Sequence, residues 1–186
     1  MPKVIDENEL FKAVIGMLVS RGYEGGTTKE IAEMAGVNEA TIFRKYGSKA
    51  KLFEKAIRHQ LSDTPLHRLV YTGDLEADLC AIVKAYLETN RLHGEIIPAI
   101  FAEIPRRPAL KGAVTILWEN IQVAVEIIQT YQLAGDLKAE GPIAGLNSLL
   151  GPLMTSQMFR RVELGSAMPD MNPQEHVNYY LQGRKK

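Results

Sequence analysis

Leu10, Phe11, Val14, Ile15, Leu18 and Val19 recur at helical spacing between Asp6 and Gly22. That spacing puts them on one face, so the chain opens with an amphipathic helix stopped by a glycine. Thr27-Thr28-Lys29-Glu30 comes next. Thr27 can cap a second helix while Glu30 reaches back to it from the third helical position, the pattern of a capping box. This helix is short: Ile31, Ala32 and either Met34 or Ala35 face inward, and Gly36 ends it. Asn38 is suited to cap a third helix running through Ile42 to Lys45. Gly47-Ser48 breaks that helix, and Ser48 caps a fourth whose apolar stripe is Leu52, Phe53, Ala56, Ile57 and Leu61.

The segment SDTPLHRLVYTG, residues 62–73, reads as a connection, and the pattern then lengthens. Leu75, Leu79, Ile82, Val83, Tyr86 and Leu87 form one helical face. A short helix near 95–104 holds Pro98, which kinks it or marks its true start. A long helix is expected from about Ala109 to Leu133, with Val114, Leu117, Trp118, Ile121, Val125 and Ile128 inward and Gly135 as its stop. Pro142 suits a first-turn position and opens another, to about Leu164; the last lies near 173–183. No strand alternation, repeat or low-complexity stretch interrupts this order. The expected fold is all-α, with about nine helices.

Composition changes this picture in one place. Of 186 residues, 46% are hydrophobic, enough for a sizeable core, and the formal net charge is zero. The charge is unevenly spread: residues 41–58 carry Arg44, Lys45, Lys49, Lys51, Lys55 and Arg58 against the single acid Glu54. A basic patch on a balanced chain suits a focused anion-binding surface; the plainer alternative is a solvated helix face. Cys80 is the only cysteine, which excludes an intrachain disulfide and a cysteine metal cluster. The opening MPKVIDENELFK has acids where a signal peptide would be apolar, and no apolar run reaches the roughly 18 residues of a membrane span. A cytoplasmic protein without cofactor or membrane partner is expected. Catalysis finds no support: there is no glycine-rich phosphate loop or nucleophile motif, and His59, His67, His93 and His176 are scattered.

A short helix, a tight glycine turn and a second short helix make a helix-turn-helix. Its mechanics account for the residues. Ile31 and Ala32 hold the first helix to the body, Ala35 lets the two helices cross closely, Gly36 permits the turn, and Val37 plugs the space between them. The second helix must present small or polar residues at its N-terminus to enter a major groove, as Asn38, Glu39, Ala40 and Thr41 would. Ile42 and Tyr46 can face the core, while Arg44 and Lys45 project beside the groove, where phosphates lie. Glu39 could accept from a cytosine amine. The alternative for these positions is a plain exposed helix end.

The run AGVNEATIFRKYGSKAKLF resembles the signature of TetR-family transcriptional regulators. Thr27, Ile31, Ala32, Ala35, Gly36, Val37, Thr41, Tyr46, Lys49 and Leu52 match that pattern closely or by near equivalents, and the resemblance spans roughly residues 8–60. Two departures stand out. Ala40 replaces a frequent glycine, and Phe43 replaces a tyrosine whose hydroxyl touches a phosphate in such proteins, leaving Arg44 or Lys45 to compensate. The resemblance implies that Lys49 meets the DNA backbone, and a lysine at a helix N-terminus, where N–H groups are unpaired, suits an anion. Thr27 and Thr28 are similar phosphate candidates, with simple capping as the alternative. The DNA-binding set is therefore Thr27, Thr28, Asn38, Glu39, Ala40, Thr41, Phe43, Arg44, Lys45, Tyr46 and Lys49. The expected division is a DNA-binding domain at 1–47 and a ligand-binding and dimerisation domain at 48–186, joined by the helix from Ser48.

One recognition helix reads few base pairs, so dimerisation on a palindromic double-stranded operator is expected. The helix from Pro142 offers Ile143, Leu146, Leu149, Leu150, Leu153, Met154 and Met158 over about half its circumference, with Gly145, Gly151 and Ser156 allowing close approach. The homodimer interface is assigned to Leu146, Leu149, Leu153, Gln157, Val177, Tyr180 and Leu181, the alternative being that the wide stripe is core within one chain. The resemblance further implies a pocket for an unidentified small-molecule effector, with Tyr86, His93, Phe101, Trp118, Gln122, Met154 and Phe159 as candidate lining. Effector and DNA would then oppose each other reciprocally, giving a repressor released by its ligand. The rival reading is a helical adaptor that uses the motif for protein contacts.

Overall fold

Asp6 accepts hydrogen bonds from the Asn8 and Glu9 amides and starts α1, Glu7–Arg21. Thr27 and Glu30 form the full capping box at the head of α2, Thr28–Met34. Asn38 accepts from the Ala40 amide to begin α3, Glu39–Tyr46, and Ser48 accepts from Lys51 to begin α4, Lys49–Leu61. The computed structural model describes residues 6–162 and 171–184. Among these residues there are nine α-helices and no β-sheet. The remaining five helices are α5 (Leu75–His93), α6 (Ile96–Glu103), α7 (Lys111–Ala134), α8 (Pro142–Arg161) and α9 (Pro173–Gln182). Pro98 stands in the first turn of α6, where its missing N–H has no intrahelical partner to lose. The end of the eighth helix expected near Leu164 lies outside the described residues.

The chain divides into two compact units. The first runs to Asp63 and takes in Leu92–Asn120. Its core joins Leu10, Val14 and Leu18 of α1, Ile31 of α2 and Ile42 of α3 to Leu52, Phe53 and Ile57 of α4, and to Ile96, Ile100, Leu110, Ala113 and Ile116. Buried Asn120 donates to the Leu61 carbonyl at 3.0 Å, satisfying an orphan carbonyl at the end of α4. By packing, then, α4, α6 and the start of α7 belong with the helix-turn-helix.

The second unit comprises Thr64–Arg91 and the chain from Ile121 on. Leu79, Ile82 and Val83 of α5 pack with Ala124, Ile128 and Tyr131 of α7, with Leu146, Leu149, Leu150 and Leu153 of α8, and with Val177, Tyr180 and Leu181 of α9. Its polar centre is Asp78, 2% exposed, which accepts from the Thr72 amide (2.9 Å), the Thr72 hydroxyl (2.6 Å) and the Tyr131 hydroxyl (2.6 Å).

One alternative about facing is decided, and two expectations need correction. Met34 is 61% exposed, so the half-buried Ala35 takes the inward place. On α7, Val114 and Trp118 are exposed, and the inward face is carried by Ala113, Ile116, Asn120, Ala124, Ile127, Ile128 and Tyr131. Counting large apolar side chains misses a face built from alanines and a hydrogen-bonded asparagine. On α8, Ile143, Met154 and Met158 are exposed while Leu146, Leu149, Leu150 and Leu153 are buried within the chain itself. The wide stripe is thus divided, and its leucine half is core.

Candidate nucleic-acid interface

Helix α3 is fixed by side-chain contacts at its two ends. Its N-cap Asn38 is exposed, and Gly36 at φ +64° makes the turn from α2. Buried Thr28 donates its hydroxyl to the Glu39 carboxylate, tying the first residue of α2 to the first of α3. At the other end Tyr46 is buried and donates to Glu7 of α1 at 2.8 Å, while the Lys45 ammonium lies 2.9 Å from the same carboxylate. The two hydrogen bonds, that from Lys45 first, hold the Glu7 carboxyl below the usual carboxylate range. Burial and the bond to Glu7 push the Tyr46 phenol well above its ordinary value, so it remains a neutral donor.

With its flanks pinned, α3 turns Ala40, Phe43 and Arg44 outward at i, i+3 and i+4, with Thr41 half-buried beside them. Phe43 is 44% exposed, and Arg44 has no ion-pair partner among the described residues. A helix whose outer face is small, then apolar, then cationic can offer methyl contact to thymine and a guanidinium to guanine or phosphate. Thr27 is spent as a cap: its hydroxyl accepts from the Glu30 amide, and the Glu30 carboxylate accepts from the Thr27 amide at 2.7 Å.

Lys49 is placed in a way the sequence did not suggest. Its ammonium donates to the Gly26 carbonyl at 2.6 Å and stands 4.5 Å from the centre of the Tyr23 ring and 5.7 Å from that of Phe53. Desolvation lowers its pKa from the ordinary lysine value. Lys45, Tyr46, Lys51, Glu54 and Lys55 line a cleft of about 380 Å³, to which Lys49 does not contribute. Lys51 and Lys55 were visible as charge; their convergence with Lys45 on one cleft was not. Glu7 was also missed, because its link to Tyr46 spans 39 residues.

The other predicted residues fall in both units. His93, Phe101 and Trp118 belong to the first; Trp118 is 41% exposed, and His93 lies 3.4 Å from the Gln60 amide nitrogen. Tyr86, Gln122, Met154 and Phe159 belong to the second, where Tyr86 accepts from Asn90 at 3.3 Å and Gln122 donates to Glu126 at 2.9 Å. Of the residues assigned to a dimer interface, Leu146, Leu149, Leu153, Val177, Tyr180 and Leu181 are buried inside the second unit, and Gln157 is half-buried.

The family model described as "Bacterial regulatory proteins, tetR family" matches residues 10–56. The uncharacterised HTH-type transcriptional regulator YvkB of Bacillus subtilis is 30% identical over 169 residues, covering 90% of this chain and 88% of that protein. The chain belongs to the TetR family. Its fold is shared by the TetR-family transcriptional regulator PfmR of Thermus thermophilus, at 13% identity and a TM-score of 0.65, over 92% of this chain and 94% of that one. The flavonoid-responsive regulator FrrA is likewise similar, at 19% identity and a TM-score of 0.69, over 96% of each chain. This TetR-family chain is therefore a DNA-binding transcriptional regulator, and the adaptor reading gives way. Among the described residues, no helix is long and apolar enough to cross a membrane, and no three His, Cys, Asp or Glu side chains are grouped to hold a metal ion.

Proposed function

We propose that the protein is a repressor that binds a palindromic operator as a homodimer and is released by a small-molecule ligand. The observation that carries the DNA half of this reading is the outward row Ala40, Phe43 and Arg44 on a helix pinned at both ends. Residues 1–47 act as the reading head and 48–186 as the ligand and dimer body, joined by the helix that Ser48 caps. Base edges are read by Asn38, Ala40, Thr41 and Phe43; phosphates are met by Arg44, Lys45 and the remaining donors of Lys49. Thr28, Glu39 and Tyr46 serve that surface by fixing it. Repression follows from occlusion, which asks for no contact with polymerase.

The dimer contact is drawn from the exposed half of the α8 stripe. Met154 and Met158 remain uncovered there, and the space over Gly151 is open, so a second helix could approach closely. Exposed Phe101 and Trp118 in one unit, and Met154 and Phe159 in the other, leave apolar surface for an effector or a second chain to cover. FrrA is described as flavonoid-responsive, and an aromatic effector would suit Trp118 here. Light scattering of the complex on a selected duplex tests the assembly. Two or more chains per duplex are expected; one chain per duplex would contradict it.

A further inference from the structure

We propose that Glu103, the last residue of α6, and Arg107, four residues beyond it, are positioning residues for DNA binding: they grip the loop Gly22–Gly26 and thereby set the N-terminus of α2. The proposal rests on the DNA-binding reading above, and every contact lies inside the first unit.

Gly22 adopts φ +72° and ψ −179°, a backbone region open essentially to glycine alone. The Glu103 carboxylate occupies the place where a β-carbon at this position would stand. From there it accepts from the Tyr23 amide at 3.2 Å, a backbone donor left over where α1 has ended. One residue further, Arg107 reaches the Glu24 carboxylate at 3.2 Å and lies 3.8 Å from Glu103. Two residues on, the Gly26 carbonyl accepts from Lys49 of α4. At Gly25 and Gly26 the positions a side chain would need are filled by the Arg21 carbonyl and by Met17.

The loop is thus held from α6 at one end and from α4 at the other, with no room for a side chain at three of its five residues. Directly after it come Thr27, the cap of α2, and Thr28, which holds Glu39 at the head of α3. A shift of Glu103 would pass along this short loop into the contact that orients the recognition helix. Stability alone is a weak reason for this arrangement. The Arg107–Glu24 pair is substantially exposed, and such pairs contribute little to folding.

The test compares Glu103→Ala, which removes the acceptor, with Glu103→Gln, which keeps an oxygen for the Tyr23 amide. Each full-length variant is titrated by anisotropy against a duplex selected by the wild-type protein, and its thermal midpoint and Tyr23 amide exchange are recorded. The expected result is affinity about tenfold weaker for Glu103→Ala on all duplexes alike, the size of one lost net hydrogen bond. Tyr23 amide exchange would be faster, and Glu103→Gln would stay near wild type on both readouts. Wild-type affinity in Glu103→Ala, with or without a lower midpoint, would overturn the positioning role. Should that variant fail to fold, Arg107→Gln is read the same way, with weaker DNA binding expected and unchanged binding overturning the proposal. A wild-type protein that selects no duplex would instead sink the DNA reading, and the positioning role with it.

Discussion

The Lys49 ammonium has three donors, and the Gly26 carbonyl takes one of them at 2.6 Å. The stem packs beside Tyr23 and Phe53, which leaves N–H groups to meet a phosphate at the head of α4. A strut and a phosphate ligand are therefore compatible in one side chain. Lys49→Ala is expected to weaken binding to all duplexes about equally and to lower the slope of log affinity against log salt by about one. A lower thermal midpoint with an unchanged slope would leave Lys49 as a strut only. At this scale the caps were legible. Thr27, Asn38 and Ser48 each act on an amide two or three residues away, so local sequence contains both partners. The long-range partners were not. Nothing near Tyr46 announces Glu7, and nothing near Tyr23 announces Glu103.

Helix α5 shows why elements were easier to find than their faces. Leu79, Ile82 and Val83 repeat at helical spacing and are all buried. Asp78, in the same helix, is buried with them, and a polar letter in an apolar face gives no sign of that. Burial alone would raise its carboxyl, but the Thr72 and Tyr131 hydroxyls and the Thr72 and Gly73 amides outweigh it and hold the pKa below the ordinary carboxylate value. The sign of the linkage follows. Asp78 contributes stability fully above the unfolded carboxylate pKa, about 4, and loses it as pH falls through the depressed folded value. Asp78→Asn should cost about 1–3 kcal/mol near neutral pH, because one of the matched donors then faces an amide N–H₂. Denaturant titrations across the acid range should show wild type losing more stability than the variant. Equal acid sensitivity would remove Asp78 from the account. The same logic explains α7, where the sequence pattern marked Val114 and Trp118 but the core uses Ala113, Asn120 and Ala124.

For the whole molecule, helix number and order follow from caps and apolar period, whereas the division into units does not. Sequence breaks the chain after the helix-turn-helix; packing carries α4, α6 and the start of α7 into the same unit. That grouping rests on contacts such as Asn120 to the Leu61 carbonyl and Arg58 to Glu119 at 2.7 Å, which join segments 59 and 61 residues apart. The dimer surface was ambiguous for a related reason: periodicity cannot tell a stripe that meets its own chain from one that meets a second copy. Burial separates them. Met158, 64% exposed, is expected to lie at the interface, whereas Leu153 is 1% exposed and already core. Met158→Arg should give a folded monomer by light scattering with an unchanged thermal midpoint, and Leu153→Arg should lose the fold. A Met158→Arg dimer that still binds DNA would move the contact elsewhere. In the proposed repressor, two copies of this reading head act together on one duplex. Selection of bound duplexes from a random pool, followed by anisotropy at two salt concentrations, is the decisive test. The expected winner is a palindrome whose half-sites lie about one helical turn or a multiple apart, bound with a steep salt dependence. A monodisperse protein that enriches no sequence, or one whose affinity ignores salt, would contradict it.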